Sequence, residues 1–155
     1  MNRREFLRHS AGLAAVSFSA RAAESGKPAP RPWKAAVIGH TARGNFGHGL
    51  DAIFDGVPGV ECVALADADA TGRAKAQQRT KVPRVYADYR EMLDQERPQL
   101  VSVSPRWTDQ RHAMVKAALE AGAHVYCEKP FMRTLAEADD VLALAARVGR
   151  KIAVA

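Results

Sequence analysis

From Trp33 onward, short apolar runs and amphipathic stretches take turns along the chain. Lys34–Gly39 carries a compact apolar run, Ala35–Ile38, that stops at a glycine. Val60–Ala66 (VECVALA) is almost continuously apolar, the pattern of a parallel strand covered on both faces. Arg84–Tyr86, Leu100–Ser104 and His124–Cys127 read as three further strands, and Ile152–Ala155 begins a sixth. Between them, helical spacing predicts Asn45–Phe54, a segment from Asp69 or Thr71 to about Thr80, and Tyr89–Glu96 with Met92 and Leu93 turned inward. Thr108–Ala121 follows, with Val115, Ala118 and Leu119 at core spacing. Thr134–Val148 comes last, with Leu135, Ala138, Leu142 and Ala145 on one face. Asn45 stands where an N-cap is expected, and Gly122 and Gly149 where glycines close helices.

Regular strand–helix alternation predicts an α/β fold: a doubly wound parallel sheet with right-handed crossovers and strand order 3-2-1-4-5-6. The domain is expected to span 33–155 with its last strand truncated, so that a further domain is missing from this sequence. Residues 1–22 read instead as an address. Asn2–Arg8 (NRREFLR) sets paired arginines before Phe6 and Leu7, a weakly apolar run Ala11–Ala20 follows, and Ala20-Arg21-Ala22 has the form of a cleavage site. This resembles a twin-arginine export signal, which implies passage through that export machinery and a periplasmic or otherwise extracytoplasmic location. The alternative is a basic terminus without an address. Residues 23–32, including the proline-stiffened ESGKPAPRP, read as a linker.

Composition changes this picture little. In 155 residues, 47% hydrophobic and 26% charged amino acids suit a soluble globular domain. No apolar run is long enough to span a bilayer, so no membrane association is expected of the mature form. The formal charge of +6 invites a nucleic-acid reading, but the first 22 residues hold four arginines against one glutamate, a net +3. The remainder intersperses acids and bases without aromatic interleaving, which argues against nucleic acid. Cys62 and Cys127 fall in central strands as buried thiols, and with no paired cysteine motif or Cys/His cluster no metal site is expected.

The chemistry concentrates at strand ends. Gly39, Thr41 and Gly44 occupy the places of a G-x-G-x-x-G phosphate loop, with threonine in the middle place, where a bare backbone normally admits a pyrophosphate. Gly47 and Gly49 allow a register shifted toward Gly44, and Arg43 offers charge to phosphates. Without a ligand, the same stretch is a glycine-rich turn. Asp67, 28 residues after Gly39, ends the second strand. There it can accept ribose hydroxyls and repel a 2′-phosphate, favouring NAD over NADP; Arg73 nearby weakens that preference and keeps NADP open. Capping the second helix is the competing role, and Asp69 competes for it. Val125–Pro130 (VYCEKP) runs a strand into Lys129, at the carboxyl end where such sheets bind ligands.

The blocks AVIGHTARGNFGHGLD, ALADAD, YADYREML, VSVSPRWTDQ, AALEAGAHVYCEKPF and TLAEAD resemble the Gfo/Idh/MocA oxidoreductases over roughly Lys34–Ala155. AGAHVYCEKP is the most specific of them. The resemblance implies an N-terminal Rossmann domain, followed in the family by an α+β substrate domain absent from this chain. It implies an NAD(P)-dependent enzyme that moves hydride between nicotinamide and a sugar or polyol hydroxyl, a homo-oligomer at full length, and inactivity of the 155 residues alone. It implies cofactor contacts at Gly39, Thr41, Arg43, Gly44, Asp67, Ser104, Pro105, Glu128 and Lys129, with Lys129 also the catalytic residue that orients or polarises the substrate oxygen. A cis Lys129–Pro130 bond is expected from the tight turn after this strand. Two departures stand out. Thr41 alters the glycine fingerprint, and where many members read T-P-x-x-x-H this chain reads Ser104-Pro105-Arg106-Trp107-Thr108-Asp109, with His112 a turn later. Trp107 is open to stacking on the cofactor or to a place in an interface or core, and His112 reads as a surface histidine. The rival reading is a non-catalytic module that binds a dinucleotide or a sugar.

Overall fold

A computed structural model describes residues 31–155. The export-signal reading lies outside the described residues, as does most of the linker. Among the described residues six parallel strands form one sheet: β1 Trp33–Ile38, β2 Val60–Ala66, β3 Arg84–Tyr86, β4 Leu100–Val103, β5 His124–Cys127 and β6 Ile152–Val154. Their order is β3-β2-β1-β4-β5-β6, as the alternation predicts, so the chain reverses direction across the sheet between β1 and β4. The central strands are apolar on both faces because both faces are covered, and Ala35–Ile38 are fully buried.

Four helices connect the strands: α1 Ala70–Thr80, α2 Tyr89–Glu96, α3 Arg111–Glu120 and α4 Leu135–Val148. Asp69 caps α1, its carboxylate accepting the Gly72 N–H at 2.6 Å, so the choice between Asp69 and Thr71 falls to the aspartate. Thr134 caps α4 through the Glu137 N–H, and Gly122 and Gly149 follow their helices with positive φ. α3 begins three residues later than its spacing suggests.

Two expectations fail. No helix forms over Asn45–Phe54: a 3₁₀ turn at Thr41–Arg43 is followed by turns as far as Gly56 and then by Gly59. Gly44, Asn45, Gly47 and Gly49 all take positive φ within six residues, and left-handed residues break the hydrogen-bond ladder a right-handed helix needs. On α4 the buried stripe is Val141, Leu144 and Ala145 with Val148 beside it, while Leu135 and Leu142 face outward at 84% and 51% exposure. Two apolar stripes lie side by side on this helix. Periodicity finds both but does not say which one meets the sheet.

The larger core cluster joins Ala36, Ile38, Val101, Val103 and Val125 to Met92 and Leu93 of α2, Val115, Ala118 and Leu119 of α3, and α4. The opposite face holds a smaller cluster of Val37, Leu65, Ala76, Val82 and Phe46. Phe46 stands in for the missing helix, its ring lying over Gly39. An added Cβ on that glycine would fall 2.0 Å from Phe46 Cε1. Beyond Phe46 this face opens into a cavity of about 540 Å³ lined by Trp33, Phe54, Leu100, His124 and Tyr126.

Candidate functional site

The carboxyl ends of β1, β2, β4 and β5 converge on the β1–β2 crossover, which runs over the point where the strand order reverses. Open α/β sheets bind ligands at this point. Three attachments hold the crossover in place, one to each neighbouring strand end.

The first attachment is to β2. Asp67 is buried, and its carboxylate accepts the Thr41 N–H at 3.1 Å on both oxygens, the Thr41 hydroxyl at 2.5 Å and the Asp69 N–H at 3.0 Å. The second is to the segment after β4. Gly44 (φ 89°) lies against the Arg106 backbone, where a Cβ would sit 2.7 Å from the Arg106 nitrogen, and the Trp107 N–H donates to the Arg43 carbonyl at 3.2 Å. Arg43 also pairs with Asp109 and lies 6.0 Å from the exposed Trp107 ring. Ser104 and Pro105 are buried beneath this contact. The Ser104 hydroxyl is 3.0 Å from that of Ser102, which donates to the Leu50 carbonyl at 2.8 Å.

The third attachment is to β5. Glu128 is fully buried; Oε2 accepts the His48 N–H at 2.8 Å and lies 2.9 Å from His48 Nδ1, while Oε1 accepts the Lys129 N–H at 3.0 Å. Burial alone pushes this carboxyl up in pKa. The His48 imidazole and the amides of His48 and Lys129 outweigh it and hold the group below the ordinary carboxylate range. Gly47 allows the approach, since a Cβ there would be 2.2 Å from Oε2. Lys129 itself is exposed, and its bond to Pro130 is cis, as the turn suggests.

Of the residues singled out from sequence, Thr41, Gly44, Asp67, Ser104, Pro105 and Glu128 thus meet at one face. Thr41 and Asp67 bond to each other, Ser104 to Ser102 and Glu128 to His48, while Arg43 and Lys129 reach outward at its rim. His112 stands apart. Its Nε2 is 2.7 Å from Asp140 Oδ2, and Lys116 Nζ is 2.9 Å from the same oxygen, bridging α3 and α4 on the surface. Two residues of the site carry no signal in the sequence. His48 becomes meaningful only beside a glutamate 80 residues away. Arg111, an arginine inside the Thr108–Ala121 stretch, is buried, donating to the Pro105 and Pro130 carbonyls and so clipping the loops after β4 and β5 together. Burial lowers its pKa, with Cys127 and Glu128 acting against that. Burial likewise raises both thiols, Cys62 and Cys127, to about 11.

A doubly wound sheet with a glycine-rich first loop, an acid ending β2 and a lysine after β5 defines the cofactor domain of a nicotinamide-dependent oxidoreductase. The chain belongs to the Gfo/Idh/MocA family, whose model, an oxidoreductase family with an NAD-binding Rossmann fold, matches residues 33–155. It is 36% identical over 93 residues to D-apiose dehydrogenase of Paraburkholderia graminis, a match covering 60% of this chain and 24% of that protein. Among solved structures, myo-inositol 2-dehydrogenase of Lactobacillus plantarum superposes with a TM-score of 0.67 at 25% identity, over 80% of this chain and 36% of that one. Scyllo-inositol dehydrogenase of Lactobacillus casei, with bound NAD(H) and scyllo-inositol, shares the fold with a TM-score of 0.66 at 19% identity, over 79% of this chain and 36% of that one. The chain therefore spans about a quarter to a third of the length of its relatives.

The residues present fit NAD. A cavity of about 270 Å³ opens beside Asp67, lined by Gly39, His40, Asp88, Tyr89 and Gln110 among others. His40 Nδ1, on its wall, is buried without a hydrogen-bond partner. An unsatisfied ring nitrogen next to a strand-end carboxylate suits a polar, nucleoside-sized guest. One feature runs against the fit: the carboxylate is already occupied by Thr41.

Proposed function

We propose that this chain is the cofactor domain of an exported NAD-dependent oxidoreductase acting on a hydroxyl of a sugar or polyol. The observation that carries the reading is the cavity lined by Gly39 and Asp67 at the carboxyl ends of β1 and β2, beside a crossover that sits on buried Ser104 and Glu128, with Lys129 exposed after β5. Family membership and the inositol- and apiose-dehydrogenase names of its relatives support the substrate class. NAD, when bound, supplies a hydride acceptor at its nicotinamide. This chain's residues bind and orient. The glycine loop and Arg43 face the phosphates, Asp67 takes the ribose, and Ser104 and Pro105 wall the middle of the crevice. Lys129 polarises the substrate oxygen, with Glu128 fixing the lysine's backbone from beneath.

Calorimetric titration of the 155-residue chain with NAD and with NADP tests this. Micromolar binding with NAD preferred is the expected result, and Asp67→Ala should weaken NAD binding and narrow the difference. A folded chain that takes neither dinucleotide would reject the reading. Export is supported by the NRREFLR segment. Replacing Arg3 and Arg4 by lysine should stop export of a folded reporter fused to residues 1–32; continued export would remove the twin-arginine assignment.

A further inference from the structure

We infer that Thr41 is an internal competitor for the ribose site, a specificity-determining residue that sets how strongly, and how selectively, Asp67 engages a dinucleotide. The inference rests on the reading of Asp67 as the ribose acceptor. An ionised carboxylate offers about four acceptor positions. Here the Thr41 N–H is shared between both oxygens, the Thr41 hydroxyl takes Oδ2 and the Asp69 N–H takes Oδ1, so no position faces outward from a side chain that is 1% exposed. A hydroxyl 2.5 Å from a carboxylate oxygen is the contact a ribose hydroxyl would make. Two groups of the same chemistry cannot share it.

The latch is built, not incidental. Thr41 packs into the space left by Gly72 in the first turn of α1, where an added Cβ would lie 1.7 Å from Thr41 Oγ1 and 2.5 Å from Thr41 Cβ. Threonine in the middle place of the fingerprint and glycine at position 72 are therefore complementary. Arg73 reinforces the same strand end, its Nη1 donating to the Asp67 carbonyl at 2.6 Å. The latch also bears on selectivity. A carboxylate surrounded by donors repels a 2′-phosphate less than a free one, so Thr41 weakens NAD binding more than NADP binding.

Thr41→Val keeps the branched shape and removes the donor; Thr41→Ser keeps the donor. Both are titrated with NAD and NADP beside the parent chain, and circular dichroism verifies their folding. Thr41→Val is expected to bind NAD about tenfold tighter and to raise the NAD-to-NADP ratio, because releasing one charge-assisted hydrogen bond is worth roughly a factor of ten. Thr41→Ser should show none of the gain. Unchanged or weaker NAD binding by a folded Thr41→Val chain, while the parent binds NAD, overturns the inference and leaves the cofactor reading standing. Failure of parent and variants alike to bind either dinucleotide overturns both.

Discussion

The two faces of the sheet are held by different means. Under α2, α3 and α4, interdigitating side chains do the work: Ile38, Val101, Val103, Met92, Val115 and Leu119 are closed off from water. On the other face, among the described residues, α1 and the rings of Phe46 and Phe54 cover the strands. The crossover is fastened at its edges by polar bonds to Asp67 and Glu128 and by backbone contact with Arg106. Hydrophobic burial is non-directional and tolerates many arrangements. Hydrogen bonds to a buried carboxylate fix one arrangement and fail as a unit. The crossover is thus held by few, directional contacts, and the opposite face by close packing.

The largest expected effect breaks the packed side. Leu119→Ala removes a fully buried side chain between α3 and the sheet and should cost about 3 kcal/mol in chemical denaturation. A loss under about 1 kcal/mol would mean that this face is loosely packed too. A smaller effect is expected at the crossover. Gly72→Ala forces its Cβ into Thr41 and should destabilise the chain by roughly 1–3 kcal/mol, although alanine is the better helix former. In the Thr41→Gly background the same change should be neutral or favourable, and an unaltered cost would show that Thr41 and Gly72 are not coupled.

The third prediction uses pH. Glu128 and Glu96 both titrate below the ordinary carboxylate range, Glu96 because Arg84 bonds its carboxylate. A carboxyl depressed in the folded state contributes stability above its unfolded pKa of about 4.3 and loses it as pH falls through the folded value. Denaturant midpoints should therefore drop below about pH 4. Glu128→Gln should flatten part of that drop while perturbing the crossover; Glu96→Gln should flatten another part and leave NAD titrations alone. A pH profile identical in both variants and the parent would mean that these carboxylates do not govern acid stability.

How far the sequence reveals this follows the same division. The packed face was legible because its residues speak through local periodicity: VECVALA and the spacing of Val115, Ala118 and Leu119 need no partner to be interpreted. Strand order followed from alternation alone. The crossover was misread as a helix because its stretch from Asn45 to Phe54 holds enough apolar residues, Phe46 and Leu50 among them, to imitate one. The clustered positive φ values that forbid it are a property of several glycines together. On α4 Ala145 is buried as expected but Leu135 and Leu142 are not, because two apolar stripes compete on the helix. At the site, Asp67 stands out as a strand-end acid, and Glu128 enters through the family resemblance. What they bond to was out of reach, since Thr41 lies 26 residues from Asp67 and His48 lies 80 from Glu128. Only the parallel topology brings them together.

That last separation also orders events during folding. Contacts between residues distant in sequence form late, because the intervening chain must first give up its freedom. The crossover is made early, but its anchor on β5 does not exist until β4 and β5 have docked beside β1. A nascent chain halted before Glu128 would carry the whole glycine loop with its Asp67 and Arg106 contacts available but without the third anchor, on β5. Hydrogen exchange during refolding should find the His48 amide among the last to gain protection, after the strands it crosses are in place.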